Sequence, residues 1–169
     1  MRLGILSDIH DHVWNLAAAL PALSSCDTLL CCGDLCSPFV VHQLGRSFPR
    51  PIHIVFGNND ADLYRITANA RAYSHIHLHG ELYQGEFAGR RVLMNHFDFI
   101  ARRFAPTFDL ICFGHNHTLE ITRSGDTLLV NPGAVWGAAI QPDGSWRAVS
   151  PSAAIYDTET QEASPIHWN

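Results

Sequence analysis

The feature that most restricts this chain is a recurrence. Short apolar runs are stopped again and again by small clusters of Asp, His, Asn and Gly. "RLGIL" runs into "SDIH", "DTLLCC" into "GDL", and "PIHIVF" into "GNND". Further along, "RRVLM" meets "NHFD" and "DLICF" meets "GHNH". Four to six apolar residues cut off by Gly and acidic or amide residues read as buried strands. Ligands of open α/β sheets bind outside the carboxyl ends of the strands. Five such ends therefore line up carboxylate, imidazole and amide groups along one rim.

Between the first three strands lie segments with helical spacing. These are "VWNLAAALPAL" at residues 13–23, "PFVVHQLGR" at 38–46 with Pro38 in its first turn, and "ADLYRITANA" at 61–70. The first half thus reads β-α-β-α-β. The second half is strand-rich, with "HIHLHG", "ELYQGEF", "RRVLMN", "DLICF", "LEITRS", "DTLLV" and "SAAIYDT", and one helical piece near "FDFIARRFA". "SGD" at residues 124–126 is a hairpin signal. No repeat or linker interrupts the pattern. The expectation is one α/β domain over residues 1–169, its sheets covered by helices.

Each polar cluster carries residues suited to one chemistry. Asp8 and His10 are separated by one residue, as are His115 and His117. In an extended segment, side chains two apart point the same way, so each pair is expected to meet at one centre. Asp34, Asn58 and His96 come from the other three strand ends. Gly33, Gly57 and Gly114 precede three of the clusters, where sharp turns are expected. Seven N and O donors exceed one tetrahedral site. They suit two ions about 3.5–4 Å apart that share a carboxylate and a hydroxide. With no thiolate in the set, Mn, Fe, Ni, Co or Zn fits.

Composition removes other chemistries. All 11 Lys+Arg residues are Arg. Without lysine, neither Schiff-base chemistry nor a P-loop is available. The formal charge of -5 gives no footing for non-specific nucleic-acid binding. The five cysteines, Cys26, Cys31, Cys32, Cys36 and Cys112, read as reduced core residues of a cytoplasmic protein. No window approaches the ~20 apolar residues of a membrane span.

The order D-x-H, G-D, G-N-x-D, a His after a strand, and G-H-x-H resembles the calcineurin-like metallophosphoesterases over nearly the whole chain. "LLVNPGAVW", residues 128–136, resembles the N-P-G segment of the small single-domain branch of that family. The resemblance implies a four-layer α-β-β-α sandwich of two mixed sheets flanked by helices. It also implies a phosphodiesterase acting on small phosphate esters with two divalent transition metal ions, manganese first and Ni, Co, Fe or Zn after it. Asp8, His10, Asp34 and His117 would hold one ion. Asp34, Asn58, His96 and His115 would hold the other, with Asp34 bridging and a metal-bridging hydroxide attacking phosphorus. Asp34, Asn58 and His96 carry catalysis in this reading.

Two residues depart from that pattern. Asn59 stands where many relatives have a proton-donating His. Asp98 stands where many small relatives have a second His, and it is expected to orient a ligand His or discourage dianionic substrates. Substrate contacts are therefore assigned to Asn59, Asp98, His12 and Arg102, with His12, Asp98 or water protonating the leaving group. The alternative function is a non-catalytic interaction module on the same fold, as the retromer subunit of this family illustrates. A hydrolase of another bond is a third reading. His75, His77 and His79 are expected on a solvent-facing strand side, where residues 73–80 offer a homodimer edge. Trp14 and Trp136 flank the motifs and are candidates to pack at the rim or stack on an aryl group or base.

Overall fold

The computed structural model describes residues 1–141 and 143–168. Two large mixed sheets stack face to face. The first has six strands. Four run parallel: β1 (Arg2–Leu6), β2 (Thr28–Cys31), β3 (Ile52–Ile54) and β4 (Ile76–Leu78). Beyond β1, β12 (Ser152–Asp157) and β13 (Glu162–His167) add antiparallel, so β4 and β13 form the edges. The second sheet has the order β5 (Leu82–Phe87), β6 (Arg90–Asn95), β7 (Leu110–Cys112), β9 (Thr127–Pro132) and β8 (Leu119–Ser124). Its three central strands are parallel and its edges antiparallel. A small ribbon, β10 (Ala138–Ile140) with β11 (Trp146–Ala148), stands apart from both.

The strands alternate between two cores because successive side chains point to opposite faces. Ile52 and Ile54 of β3 face the helices α1 (Val13–Ala22), α2 (Phe39–Ser47) and α3 (Leu63–Ala70), together with Leu29 and Cys31 of β2. Leu30, Cys32 and Val55 face inward against Val92, Met94, Leu110 and Val130 of the second sheet. The neighbours Cys31 and Cys32 thus enter opposite layers, and all five cysteines are free. The short helix α4 (Asp98–Ala101), the 3-10 turn after it and the loop leading to β7 cover the far side through Ala101, Phe104 and Phe108. The layers are α-β-β-α, as the motif resemblance implied.

Three strands escaped the sequence reading: β10, β11 and β13. The last reads "EASPIH", with a proline and little apolar content, which is tolerated because β13 is an edge strand. β10 and β11 have only three residues each, too few to show a period. The run of three histidines also differs from expectation. Only His77 is exposed. His75 Nε2 lies 3.2 Å from the Gly45 carbonyl, and His79 Nε2 lies 2.9 Å from His53 Nδ1. Among the described residues no helix is long and apolar enough to cross a membrane.

Candidate metal centre

β1, β2, β3, β6 and β7 end at one rim, and the seven donor residues follow directly after them. The backbone there is not extended. Asp8, His10, Asp34, His115 and His117 all have φ between 46° and 73°. This left-handed region costs a non-glycine residue about 1–2 kcal/mol. The i, i+2 pairs do converge, but through tight loops rather than the pleat of a strand, which corrects the expected cause. Backbone bonds hold these loops against the strain. Asp8 N–H donates to Gly33 O at 3.1 Å, and Ile9 and His10 N–H both donate to Asp34 O.

The glycines play a different part from the one expected at two of three positions. Gly33 has a φ of +100°, as a sharp turn demands. Gly57 and Gly114 do not need positive φ. A Cβ on Gly57 would lie 2.2 Å from Asp34 Oδ1, and one on Gly114 would lie 2.5 Å from Asp8 Oδ2. These glycines let the backbone pass close beside the carboxylates.

Asp34 sits between two groups of donors. Its Oδ2 is 3.5 Å from His10 Nε2 and 3.4 Å from His96 Nε2. On one side, Asp8 Oδ1 is 3.2 Å from His117 Nε2 and 3.8 Å from His10 Nε2, and the two imidazole Nε2 atoms are 3.1 Å apart. On the other, Asn58 Oδ1 is 3.0 Å from both His96 Nε2 and His115 Nδ1. Two triads, Asp8 with His10 and His117, and Asp8 with Asp34 and His96, are compact enough to hold a cation.

The tautomers are set from outside. His96 Nδ1–H donates to Cys32 O and His117 Nδ1–H to Ala138 O, both at 2.8 Å. A carbonyl can only accept, so each Nδ1 keeps its proton and Nε2 is the atom turned to the site, donating to Asp34 or Asp8 without a cation and giving up that proton to take one. Asp8 and Asp34 are 0% and 1% exposed. Among the described residues no arginine lies within ion-pairing distance of either; only histidines do. Burial opposes the charge of Asp8, but hydrogen bonds from His10 and His117 outweigh it and hold the carboxyl well below its usual range. Burial also opposes the charge of Asp34, yet the bond to His96 lowers its pKa. In turn, His96 and His117 are raised against the opposing effect of burial, by Asp34 and Asp8 respectively. Buried carboxylates normally need a paired cation. Here imidazole nitrogens and carboxylate oxygens lie close enough together to hold a divalent ion.

The four residues assigned to substrate are placed differently. Asn59 donates to Asp34 from both its backbone N–H and its side-chain amide, each at 2.8 Å. It orients the shared carboxylate. Arg102 is paired with Glu120, lies 3.9 Å from Asp98, and stacks over Phe113 at 4.8 Å. Its guanidinium is engaged by those partners. Asp98 begins α4 and makes no hydrogen bond to a donor histidine among the described residues, because Arg102 one turn later takes its charge. His12 caps α1, accepting the Asn15 N–H at Nδ1, and stands near the rim.

Two supports were not assigned from the sequence. Asp60 accepts backbone N–H bonds from Asp34, Cys36 and Gly57 at 2.8–3.0 Å, pinning two donor loops together. Asn131 donates to Gly114 O and Asn116 Oδ1 and accepts from Gly133, which fixes the "GHNH" loop. Both lie inside the quoted motifs, so a signal was present; the role shows only in three dimensions.

Comparison with known proteins agrees with this geometry. The chain is 24% identical to Phosphodiesterase MJ0936 of Methanocaldococcus jannaschii over 98% of each chain. It superposes on the structure of an archaeal phosphodiesterase with a TM-score of 0.86 at 24% identity, covering 99% of this chain and 100% of that one. It also superposes on Vps29 from Entamoeba histolytica with a TM-score of 0.68 at 18% identity, over the full length of both. The family model for the calcineurin-like phosphoesterase superfamily domain matches residues 1–161. The chain belongs to the calcineurin-like phosphoesterase superfamily.

Proposed function

We propose that this protein is a single-domain, cytoplasmic, dinuclear metal-dependent phosphodiesterase acting on small phosphate esters. Asp8, His10, Asp34 and His117 hold one divalent ion. Asp34, Asn58, His96 and His115 hold the second, with manganese the first choice and Ni, Co, Fe or Zn suited to the same N/O donors. When bound, two such ions supply an acidified water as nucleophile at neutral pH and positive charge for the phosphoryl oxygens. The observation that carries this reading is the pair of buried carboxylates, faced by imidazole nitrogens and, among the described residues, by no arginine.

The chain's own residues then have separable tasks. His96 and His117, locked by carbonyls at Nδ1, keep Nε2 aimed inward as the atom that would ligate an ion. Asn59 holds Asp34 in place and leaves no imidazole to protonate a departing alkoxide. His12, with Nδ1 spent on the helix cap, retains Nε2 for that proton. Arg102 pairs with both Glu120 and Asp98, so its charge is taken up by them. A site without a strong general acid favours ester groups that leave unaided. Aryl diesters are therefore expected to turn over faster than alkyl monoesters.

Turnover of an aryl phosphodiester with Mn, Ni, Co, Zn and Mg in turn tests the reading. Activity in at least one transition metal, lost in Asp34→Ala in all of them, is the expected result. A silent wild-type protein in every metal would favour the interaction-module alternative, which the Vps29 likeness of fold keeps in view. A strong preference for alkyl monoesters would overturn the leaving-group argument.

A further inference from the structure

Of the four tryptophans in this chain, one packs directly on the donor histidines and two more are joined to it through neighbouring contacts. Trp136 follows β9, donates its backbone N–H to Asp8 O, and packs on His10 at 5.1 Å and His117 at 5.6 Å. Trp146 of β11 lies 6.4 Å from Trp136 and is 66% exposed. Trp14, in the first turn of α1, is 76% exposed and meets His12 edge-on at 5.9 Å. The Asn15 side chain ties that turn to the Trp136 loop, donating to the carbonyls of Val135 at 2.9 Å and Trp136 at 3.2 Å. The β10–β11 ribbon belongs to neither large sheet, and it carries Trp146 out to this rim. Folding gains little from large rings left in water. Their cost is understandable where a ligand covers them.

We propose that Trp14, Trp136 and Trp146 form a stacking rim for a flat aromatic ring carried on one ester group of the substrate. The substrate class is then a phosphodiester with a nucleoside or aryl substituent, the phosphate lying at the metal centre and the ring on the tryptophans. This rests on the phosphodiesterase reading above. Tryptophan faces accept any π-system, so the rim selects for a ring rather than for one base. The 16 Asp+Glu residues against 11 Arg leave no basic track for a polymer, which restricts the ligand to a small molecule.

Calorimetric binding to the metal-loaded protein at mildly alkaline pH tests the rim without requiring turnover. The ligands are inorganic phosphate, phenyl phosphate and adenosine 5′-monophosphate. All three are then dianions, so their ratio isolates the ring. Stacking on an aromatic side chain is expected to make the ring-bearing ligands roughly tenfold tighter than phosphate. Trp14→Ala and Trp146→Ala should each shrink that ratio, and Trp146→Phe should largely restore it. A higher affinity for the nucleotide identifies a nucleoside source, and parity with phenyl phosphate identifies a simple aryl ester. Equal binding of all three ligands, or a ring preference that survives the double alanine variant, overturns the proposal. If the wild type cleaves an aryl diester yet shows no ring preference, the rim alone has failed. If no diester is cleaved in any metal, the phosphodiesterase reading has failed first.

Discussion

Histidines gather in two places in this molecule, and the two clusters respond to protons in opposite directions. At the strand ends, His96 and His117 are raised. At the edge of the first sheet, His53 faces His79 with ring nitrogens 2.9 Å apart and His77 at a centroid distance of 5.0 Å. There burial, followed by the charges of His79 and His77, lowers His53 to about 4. Burial lowers His79 too, helped by His77. The rings are similar and the crowding is similar. The difference is Asp8 and Asp34. Buried carboxylates turn a set of imidazoles toward positive charge, whereas the edge cluster packs on Tyr83 and Phe87 and prefers to stay neutral. Imidazole count alone does not mark a metal centre.

The comparison breaks most sharply at the shared carboxylate. Asp34→Ala should lower aryl diester turnover by about a thousandfold or more, since charge stabilisation by paired ions is worth several kcal/mol. His53→Gln, in the other cluster, should leave kcat within about a factor of two. Comparable losses in the two variants would refute the division. Asp60→Asn comes next in size. It leaves the donors in place but weakens the bonds joining the Asp34 and Gly57 loops, and metal affinity should fall by about 10- to 100-fold. A metal titration followed by calorimetry reads this directly.

Chelation sharpens the contrast through stability. Metal at a hundred times its Kd stabilises by about 2.7 kcal/mol. For a domain of this size each kcal/mol moves Tm by about 2–4 °C. Stripping the ions should therefore lower Tm by roughly 5–10 °C, and an unchanged Tm would argue against an ion between the buried carboxylates. The smallest effect lies at the edge cluster. His53 binds its proton near pH 4 when folded and near 6.5 when unfolded. The unfolded chain therefore takes the proton first, and stability is lost as pH falls from about 6.5 to 4. The ring is half-buried, so screening reduces the contribution to about 1 kcal/mol. Denaturant titrations across that window should show a shallower loss in His53→Gln. The metal-free centre has the opposite sign. Its raised His96 and His117 stabilise below the unfolded value near 6.5, and that stability fades as pH rises through their folded values.

Much of this molecule was legible in the chain. The helices at residues 13–23, 38–46 and 61–70 match α1, α2 and α3 to within two residues at their ends, because their apolar positions recur on a helical period. "LEITRS" and "RRVLMN" coincide with β8 and β6. The seven donors stand together because each closes a recognisable apolar run. Other roles could not be read this way. Arg102 looked free for phosphate because its partner Glu120 lies on β8, 18 residues away in the chain. Asn59 looked like a substrate contact, yet both of its bonds run to Asp34 across 25 residues. The three histidines after residue 74 looked solvated because strand alternation says nothing about His53 of the neighbouring strand.

By itself, then, the sequence determined which Asp, His and Asn residues close the apolar runs and so stand together at the strand ends. Local signals suffice for that, since strand-stopping residues and hydrophobic periods act over a few positions. Only the tertiary structure decided how those residues are held. The left-handed turns at Asp8, His10, Asp34, His115 and His117 survive because bonds from distant loops outweigh their local strain. The close passage of Gly57 and Gly114, the buried grip of Asp60, and the packing of Trp136 on His10, His117 and Trp146 have the same origin. Each depends on contacts between segments far apart in the chain, where no local pattern reaches.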